Sequence, residues 1–290
     1  GQDNYNITST GVITQIDQAD DADYPVSTLG PVCYLDGYLF QGNSAGRIFN
    51  TTINTVSSWI SGDYITADTH AGALEAIYIQ KDQIMGFTKN RIEFFYNNGN
   101  PTGSPLLRID QNTINLGLAS RESLAWAGEA ACFVGENAGD GDVGRAVYLV
   151  QSLSKLKDIS SPVINRFLTA EGPSISSCTA WMERVNGQIV YCLNLQSANR
   201  SFLYSIESGL WSEWQNFSTN RFNCVSATSR NGALYLQDVS TGRIYTFNTS
   251  TFRDSGSDFR VTLQTPRNEY GSPLRKQEVG LSIIGDSTLS

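Results

Sequence analysis

Residues 178–206 read CTAWMERV NG QIVYCLNLQSANR SFLYSI, and this stretch decides the fold. An apolar run meets an Asn-Gly pair, a second apolar run follows, and a polar stretch leads into an aromatic third run. Asn186-Gly187 is the kind of pair that two-residue hairpin turns favour, because both central positions sit at positive φ. Short runs rich in Val, Ile, Tyr and Trp between such punctuation are β-strands. No sustained 3.6-residue period competes with that reading.

The same unit recurs along the chain. It reads PVCYLDGYLFQGNSAGRIFNTTI at Pro31–Ile53, LEAIYIQKDQIMGFTKNRIEFFYN at Leu74–Asn97, and SLAWAGEAACFVGENAGDGDVGRAVYLV at Ser123–Val150. A last copy is CVSATSRNGALYLQDVSTGRIYTFN at Cys224–Asn248. Taking the first turn as a marker gives Asp36, Asp82, Gly128, Asn186 and Asn231, spaced 46, 46, 58 and 45 residues apart. A period near 45 residues with three or four strands per unit is the signature of propeller blades. Third strands match residue by residue at Arg47-Ile48-Phe49, Arg91-Ile92-Glu93-Phe94 and Arg243-Ile244-Tyr245.

The expected fold is therefore all-β, a β-propeller of five to six blades of three to four antiparallel strands. Blade-like units lie near 31–60, 74–110, 123–151, 178–215 and 224–250. Candidate fourth strands are Ser58–Ile60 and Trp211–Trp214. One helix, Pro162–Leu168, occupies the long third interval; Ser161 is placed to cap it and Pro162 suits the first helical position. The propeller is assigned to residues 1–257. Residues 258–290 either supply its closing strands or open an additional β region, a β-sandwich running on. A sixth unit would have to combine Gly11–Asp17 with the segment from Phe259 onward.

Composition narrows the function. Among 290 residues, 40% are hydrophobic and 17% charged, enough apolar content for a large core and too little net charge for disorder. The net charge is −8, and Lys155 and Lys157, or Arg275 and Lys276, are too sparse to make the basic patch of an independent nucleic-acid binder. No run approaches the ~18 apolar residues of a membrane span, and GQDNYNITST lacks a signal-peptide pattern. The five cysteines, Cys33, Cys132, Cys178, Cys192 and Cys224, show no CxxC spacing and read as buried reduced residues. A Cys178–Cys192 cross-strand disulfide is the alternative.

A search for chemistry finds no active site. His70 is the single histidine and has no identifiable partner for metal or triad work. Asp63, Asp68, Glu75 and Glu122 are candidate carboxylates for glycoside hydrolysis, which needs a pair at a defined separation. Asp140-Gly141-Asp142 resembles a piece of a calcium loop but lacks its further ligands, so a hairpin turn is expected. Asp17–Asp23 reads as a solvated linker. Trp211 and Trp214 are expected on one strand face, serving core packing or blade stacking. No cofactor or metal is expected.

Several phrases carry a resemblance. RIEFFYNNGNPTGSPLLRI at Arg91–Ile109, the unit ending in RAVYLV, then ISSPVINRFL, and FLYSIESGLWSEWQ at Phe202–Gln215 together resemble the packaged-DNA stabilisation proteins of short-tailed phages, also described as tail hub or nozzle proteins. The likeness is one of order and wording over roughly Pro31 to Leu281, with no catalytic motif. It implies a propeller subunit of the virion tail, six copies in a ring, extending the DNA channel and helping to retain the packaged genome. Implied partners are an adaptor or head-completion protein, a tailspike or fibre, and a tail plug or needle. Genomic DNA would pass without sequence-specific binding, and an acidic lumen would suit that passage by repelling phosphates. The exposed loop Asn97, Asn98, Gly99, Asn100, Pro101, Thr102 and Gly103 is the candidate docking element, since Gly/Pro/Asn loops on a rigid scaffold often carry binding. The alternative is a carbohydrate- or receptor-binding propeller module of a tail fibre, which would show exposed aromatics around a concave pocket.

Overall fold

A computed structural model of the chain describes residues 4–67, 73–137, 144–152, 155–216, 221–248, 251, 253–254 and 256–258. An N-terminal hairpin of β1 (Asn4–Ile7) and β2 (Ile13–Ile16) precedes five consecutive antiparallel meanders. Blade I holds β3 (Thr28–Leu35), β4 (Tyr38–Asn43), β5 (Arg47–Thr51) and β6 (Trp59–Thr66). Blade II holds β7 (Leu74–Gln80), β8 (Gln83–Thr88), β9 (Ile92–Asn97) and β10 (Leu106–Arg108). Blade III holds β11 (Gly117–Leu118), β12 (Ala125–Ala127), β13 (Ala130–Asn137), β14 (Gly144–Ser152) and β15 (Lys155–Asp158). Blade IV holds β16 (Thr179–Val185), β17 (Gln188–Leu195), β18 (Arg200–Ser205) and β19 (Trp211–Trp214). Blade V holds β20 (Cys224–Arg230), β21 (Ala233–Asp238) and β22 (Ile244–Phe247) among the described residues.

The hairpin chemistry is as the sequence demands. Asp36 and Gly37 sit at φ 50° and 89°, Asn186 and Gly187 at 49° and 84°, Asn231 and Gly232 at 52° and 78°. In blade II the turn begins one residue earlier than the marker: Gln80 pairs Gln83, so Lys81, at φ 57°, holds the first position. The helix α1 (Pro162–Ala170) runs two residues beyond the expected end, and the Ser161 hydroxyl accepts from Ile164 N at 3.3 Å.

What assembles the blades is burial on both faces. Successive strand residues point to opposite faces, so one inner strand feeds two seams. Trp181 joins the apolar cluster between blades IV and V, while its neighbour Met182 joins the cluster between III and IV. Between I and II, Cys33, Leu35 and Phe40 meet Ile77, Ile84 and Phe95. Between II and III, Tyr78, Phe87 and Phe94 meet Leu124 and Phe133. The III–IV seam also takes Ile164 and Leu168 of α1. Each large side chain buried this way contributes about 1.5–3 kcal/mol, and strands buried on both faces read as near-continuous apolar runs.

Polar groups also cross these seams. Trp181 Nε1 donates to Cys224 O at 3.2 Å, and Tyr191 Oη donates to Ser123 O at 2.8 Å. Arg108 donates to Thr66 O of blade I while its guanidinium lies 5.7 Å from the Phe95 ring centroid. Arg108 Nε is also 3.1 Å from Glu93 Oε2, off the hydrogen-bond axis, making an ion pair in which Glu93 is 1% exposed.

Four sequence expectations change. Trp211 and Trp214 lie on opposite faces of β19, because an odd separation on a strand reverses direction. Trp211 packs on Tyr204 at 5.1 Å and Trp214 on Phe222 at 5.3 Å, so the pair serves two packing surfaces rather than one. Asp17–Asp23 is more than a solvated linker: Asp21 Oδ2 accepts from Trp59 N at 2.7 Å and ties the segment to blade I. The fourth strand expected at Ser58–Ile60 extends over Trp59–Thr66. The inner strand of blade III is not one run. Both β11 and β12 pair β13, separated by a 3₁₀ turn at Arg121–Ser123. Ser123 Oγ repairs the gap by accepting from Val134 N at 3.0 Å and donating to Ser120 O at 2.6 Å. The segment 259–290, including Phe259 onward, lies outside the described residues.

Gly117 begins β11 against blade II, where a Cβ would sit 1.7 Å from Lys89 O. Only glycine permits that approach. Gly117→Ala is expected to cost more than about 2 kcal/mol in urea unfolding, since backbone must move. Gly62→Ala, with nothing within 4 Å of the new methyl, is expected to stay within about 0.5 kcal/mol. Glu93→Ala is expected to lose about 3 kcal/mol by stranding Arg108, and Glu93→Leu with Arg108→Leu to lose less.

Candidate functional site

A four-stranded meander returns the chain to the end where it started, so every inner strand begins at the same end of the propeller. The opposite end therefore gathers the turns after the inner strands and the loops between third and fourth strands. The expected docking loop belongs to this turn end. It is held by its own asparagines: Gly99 N donates to Asn97 Oδ1 at 2.9 Å, Asn98 Nδ2 to Asn100 Oδ1 at 2.9 Å, and Asn100 Nδ2 to Ser104 O at 3.0 Å. Asn97 Nδ2 reaches Asp36 Oδ2 of the blade I turn at 3.0 Å, anchoring the loop across the seam. Pro101, Thr102 and Gly103 form its exposed tip. The loop is thus pre-shaped, which reduces the ordering cost of any contact it makes.

The other end carries the interblade connections and one repeated side chain. Arg47, Arg91, Arg145, Arg200 and Arg243 all sit at the start of a third strand, within one residue of its bound. Arg47 lies 4.3 Å over the Tyr64 ring. Arg145 pairs Glu136 at 2.8 Å and donates to Gly172 O at 2.8 Å, and Arg200 pairs Glu213. The residue-by-residue match of third strands names three of these five; Arg145 and Arg200 stand farther from their marker turns, 17 and 14 residues against 9 to 12 for the others. Beside Arg145, the Glu171 carboxylate accepts from Ser197 N at 3.1 Å and Ala198 N at 2.6 Å. Arg145 and Glu171 thus fasten loops to blades, while Arg47 and Arg200 each hold the fourth strand of their own blade.

The candidate carboxylates are dispersed. Asp63 is on the outermost strand of blade I and Glu122 is exposed on the 3₁₀ turn of blade III. Glu75, on the inner strand of blade II, is 3.6 Å from Arg121 Nη2 and 3.9 Å from Lys89 Nζ, while Arg121 Nε donates to Glu75 O at 2.6 Å. It is a blade-to-blade ion pair. His70, Asp68 and Asp140-Gly141-Asp142 lie outside the described residues. Among the described residues, no group of three or more His, Cys, Asp and Glu comes together.

A groove of about 440 Å³ opens between the turns of blades IV and V, lined by Arg184, Asn186, Ser229 and Phe247 among others. The exposed aromatics Tyr34 and Trp126 are not in its lining. Sequence reasoning did not single out this groove; its lining residues come from two adjacent units.

The family model described as Bacteriophage P22 Gp10, beta-propeller, matches residues 2–252. The chain belongs to this family. It is therefore a bacteriophage structural protein of the packaged-DNA stabilisation group, built on a propeller. Two solved structures are similar to this Gp10-family chain at lower levels. The crystal structure of BamB from Moraxella catarrhalis shares 13% identity, covering 75% of this chain and 60% of that one with a TM-score of 0.38. The crystal structure of the computationally designed Ika8 protein shares 15%, covering 82% and 65%, with a TM-score of 0.39. This chain spans less than two thirds of either length. No curated protein matches the sequence.

All five cysteines of this Gp10-family propeller are free and buried. Cys178 belongs to the III–IV cluster and Cys192 to the IV–V cluster, on opposite faces of blade IV, so the alternative disulfide is excluded by geometry. Burial pushes the Cys33 and Cys178 thiols up to about 12 from an ordinary 9.0, and Cys132 and Cys192 higher still. Burial likewise takes Tyr78 from 10.0 to about 12. The folded state holds protons that the unfolded chain releases. Stability is therefore complete below about pH 9 and falls as pH rises toward the folded values, by about 1.4 kcal/mol per pH unit for each thiol. Urea midpoints measured from pH 8 to 11 are expected to drop steeply above pH 9. Thiol reagents at pH 8 are expected to find no fast-reacting cysteine until the protein is unfolded.

Proposed function

We propose that this protein is a tail hub, or nozzle, subunit that extends the DNA channel of a short-tailed phage, helps retain the packaged genome and docks neighbouring tail proteins. The family match over residues 2–252 carries the reading. The architecture supports it: five blades fused by apolar seams make a stiff block, and the pre-shaped Asn97–Gly103 loop offers a contact element on it. Six copies around the tail axis is the ring expected, with the adaptor, a tailspike or fibre, and a plug or needle as partners. Placement in the tail of the virion follows from the same proposal. Catalysis has no part in it, and the formal charge of −8 suits a wall past which DNA slides rather than one that holds it.

Cryo-electron microscopy of the particle that contains this chain tests the proposal. The expected result is a closed ring of propellers around an axial DNA channel, with loop 97–103 at a protein contact. A peripheral copy that presents its turn end outward, away from any channel, would overturn it and favour the receptor-binding alternative.

A further inference from the structure

The net charge of the chain is local. Residues 1–67 hold seven aspartates and one arginine, a balance of −6, while residues 68–290 hold 21 acids and 19 bases, a balance of −2. Less than a quarter of the sequence therefore supplies most of the charge of −8. Exposed apolar side chains follow the same division. Sixteen large ones stand exposed among the described residues, and ten of these lie between Tyr5 and Ile60. Ion pairs show the opposite division. The five among the described residues all join groups from Glu75 onward, and none involves an aspartate of residues 4–67.

The fold gathers these residues on the outer side of blade I. Ile16 and Tyr24 pack with Phe49, Trp59 and Tyr64, which fixes the β1–β2 hairpin to the blade. The registers Tyr5↔Gln15 and Ile7↔Ile13 turn Tyr5, Ile7 and Ile13 to the free face of the hairpin, where all three are exposed. Between hairpin and blade runs the acidic segment. Asp17, Asp20 and Asp23 are exposed, Asp21 accepts from Trp59 N, and Gln18 Nε2 donates to Tyr24 O at 3.2 Å. Val26 follows at 58% exposed, and Ile60, beside Trp59 on the edge strand β6, is 47% exposed. Charge alone would serve a channel wall, but clustered apolar side chains mark a surface that another molecule covers. The sign selects that molecule. Nucleic acid and anionic lipid are repelled by such a surface. A second copy offers the same acidic side and, beyond it, an almost neutral remainder. A protein face with lysines set among apolar residues meets both the charge and the burial, since complementary potentials steer association and fix register.

We propose that the β1–β2 hairpin and the outer side of blade I form the docking surface for a different protein of the phage particle, whose contact face is basic, lysine-bearing and partly apolar. The inference rests on the reading above only in taking the chain to dock other proteins of a particle. The acidic segment orients the partner, and Ile7, Ile13, Val26 and Ile60 supply the apolar area that its arrival buries.

The buried native cysteines make the test simple. Ile7→Cys and Ile60→Cys are labelled with a thiol reagent at pH 8, first in the isolated full chain and then in the assembled particle. In the isolated chain both are expected to react as fast as Leu210→Cys, a reference on a residue 69% exposed. In the particle they are expected to react about tenfold more slowly, because access governs thiol labelling. Slow labelling already in the isolated chain would overturn the proposal, since the chain or its own copy would then be the cover. Fast labelling in the particle would overturn it equally. Zero-length carbodiimide coupling of the native particle gives a second readout that needs no variant. The expected product joins Asp20 or Asp23 to a lysine of another protein; coupling only to lysines of this chain, or none, sinks the proposal. A nozzle ring whose outer blade I faces solvent or DNA defeats this inference and leaves the tail-hub reading intact. A covered and coupled surface in a particle without such a ring does the reverse.

Discussion

The inner blades of this molecule are sheets buried on both sides, and much else in the structure follows from that constraint. Trp181 and Met182, adjacent in sequence, must each find a different neighbour. The blade is therefore stable only as a member of a series. The dominant free energy lies in the seams between blades rather than within any one of them. This explains why buried apolar residues far outnumber buried polar ones among the described residues. It also explains why the cysteines behave as small apolar residues, with burial raising the pKa of Cys33, Cys132, Cys178 and Cys192.

The function inherits this economy. Several of the described charged groups fasten blades and loops to one another. Glu75 is bound between Arg121 and Lys89, Glu171 holds two backbone N–H groups, and Glu93 is spent on Arg108. What remains for interaction is shape: turns and loops projecting from a stiff body. That is the equipment of a phage structural protein.

The repeat, the turn chemistry and the capped helix were legible because each rests on short-range rules. Asn186-Gly187 announces its turn, and Ser161-Pro162 announces its helix, without reference to anything distant. The errors arose where parity or long-range contact decides. Trp211 and Trp214 look like a pair by composition, but an odd spacing sends them to different seams. The break between β11 and β12 has no local marker, since Gly117 is required by a carbonyl of blade II and not by its own neighbours. The two unrecognised arginines at third-strand starts were hidden by their greater distance from the marker turn. Of the candidate site, the Asn97–Gly103 loop could be read as exposed turn residues, but not its anchorage on Asp36, 61 residues away in sequence.

The interrupted inner strand of blade III has a mechanical consequence. Greasy surfaces resist separation but glide past one another, so an apolar seam alone fixes spacing and not angle. At the break, Ser120 Oγ donates to Cys178 O at 2.9 Å and Ser123 O receives Tyr191 Oη, both from blade IV. These directional contacts act as an indexing pin, setting the rotation of one sheet against the next. Arg108 on Thr66 and Trp181 on Cys224 pin two other seams in the same manner. A body pinned so transmits torque between its blades instead of absorbing it as slip.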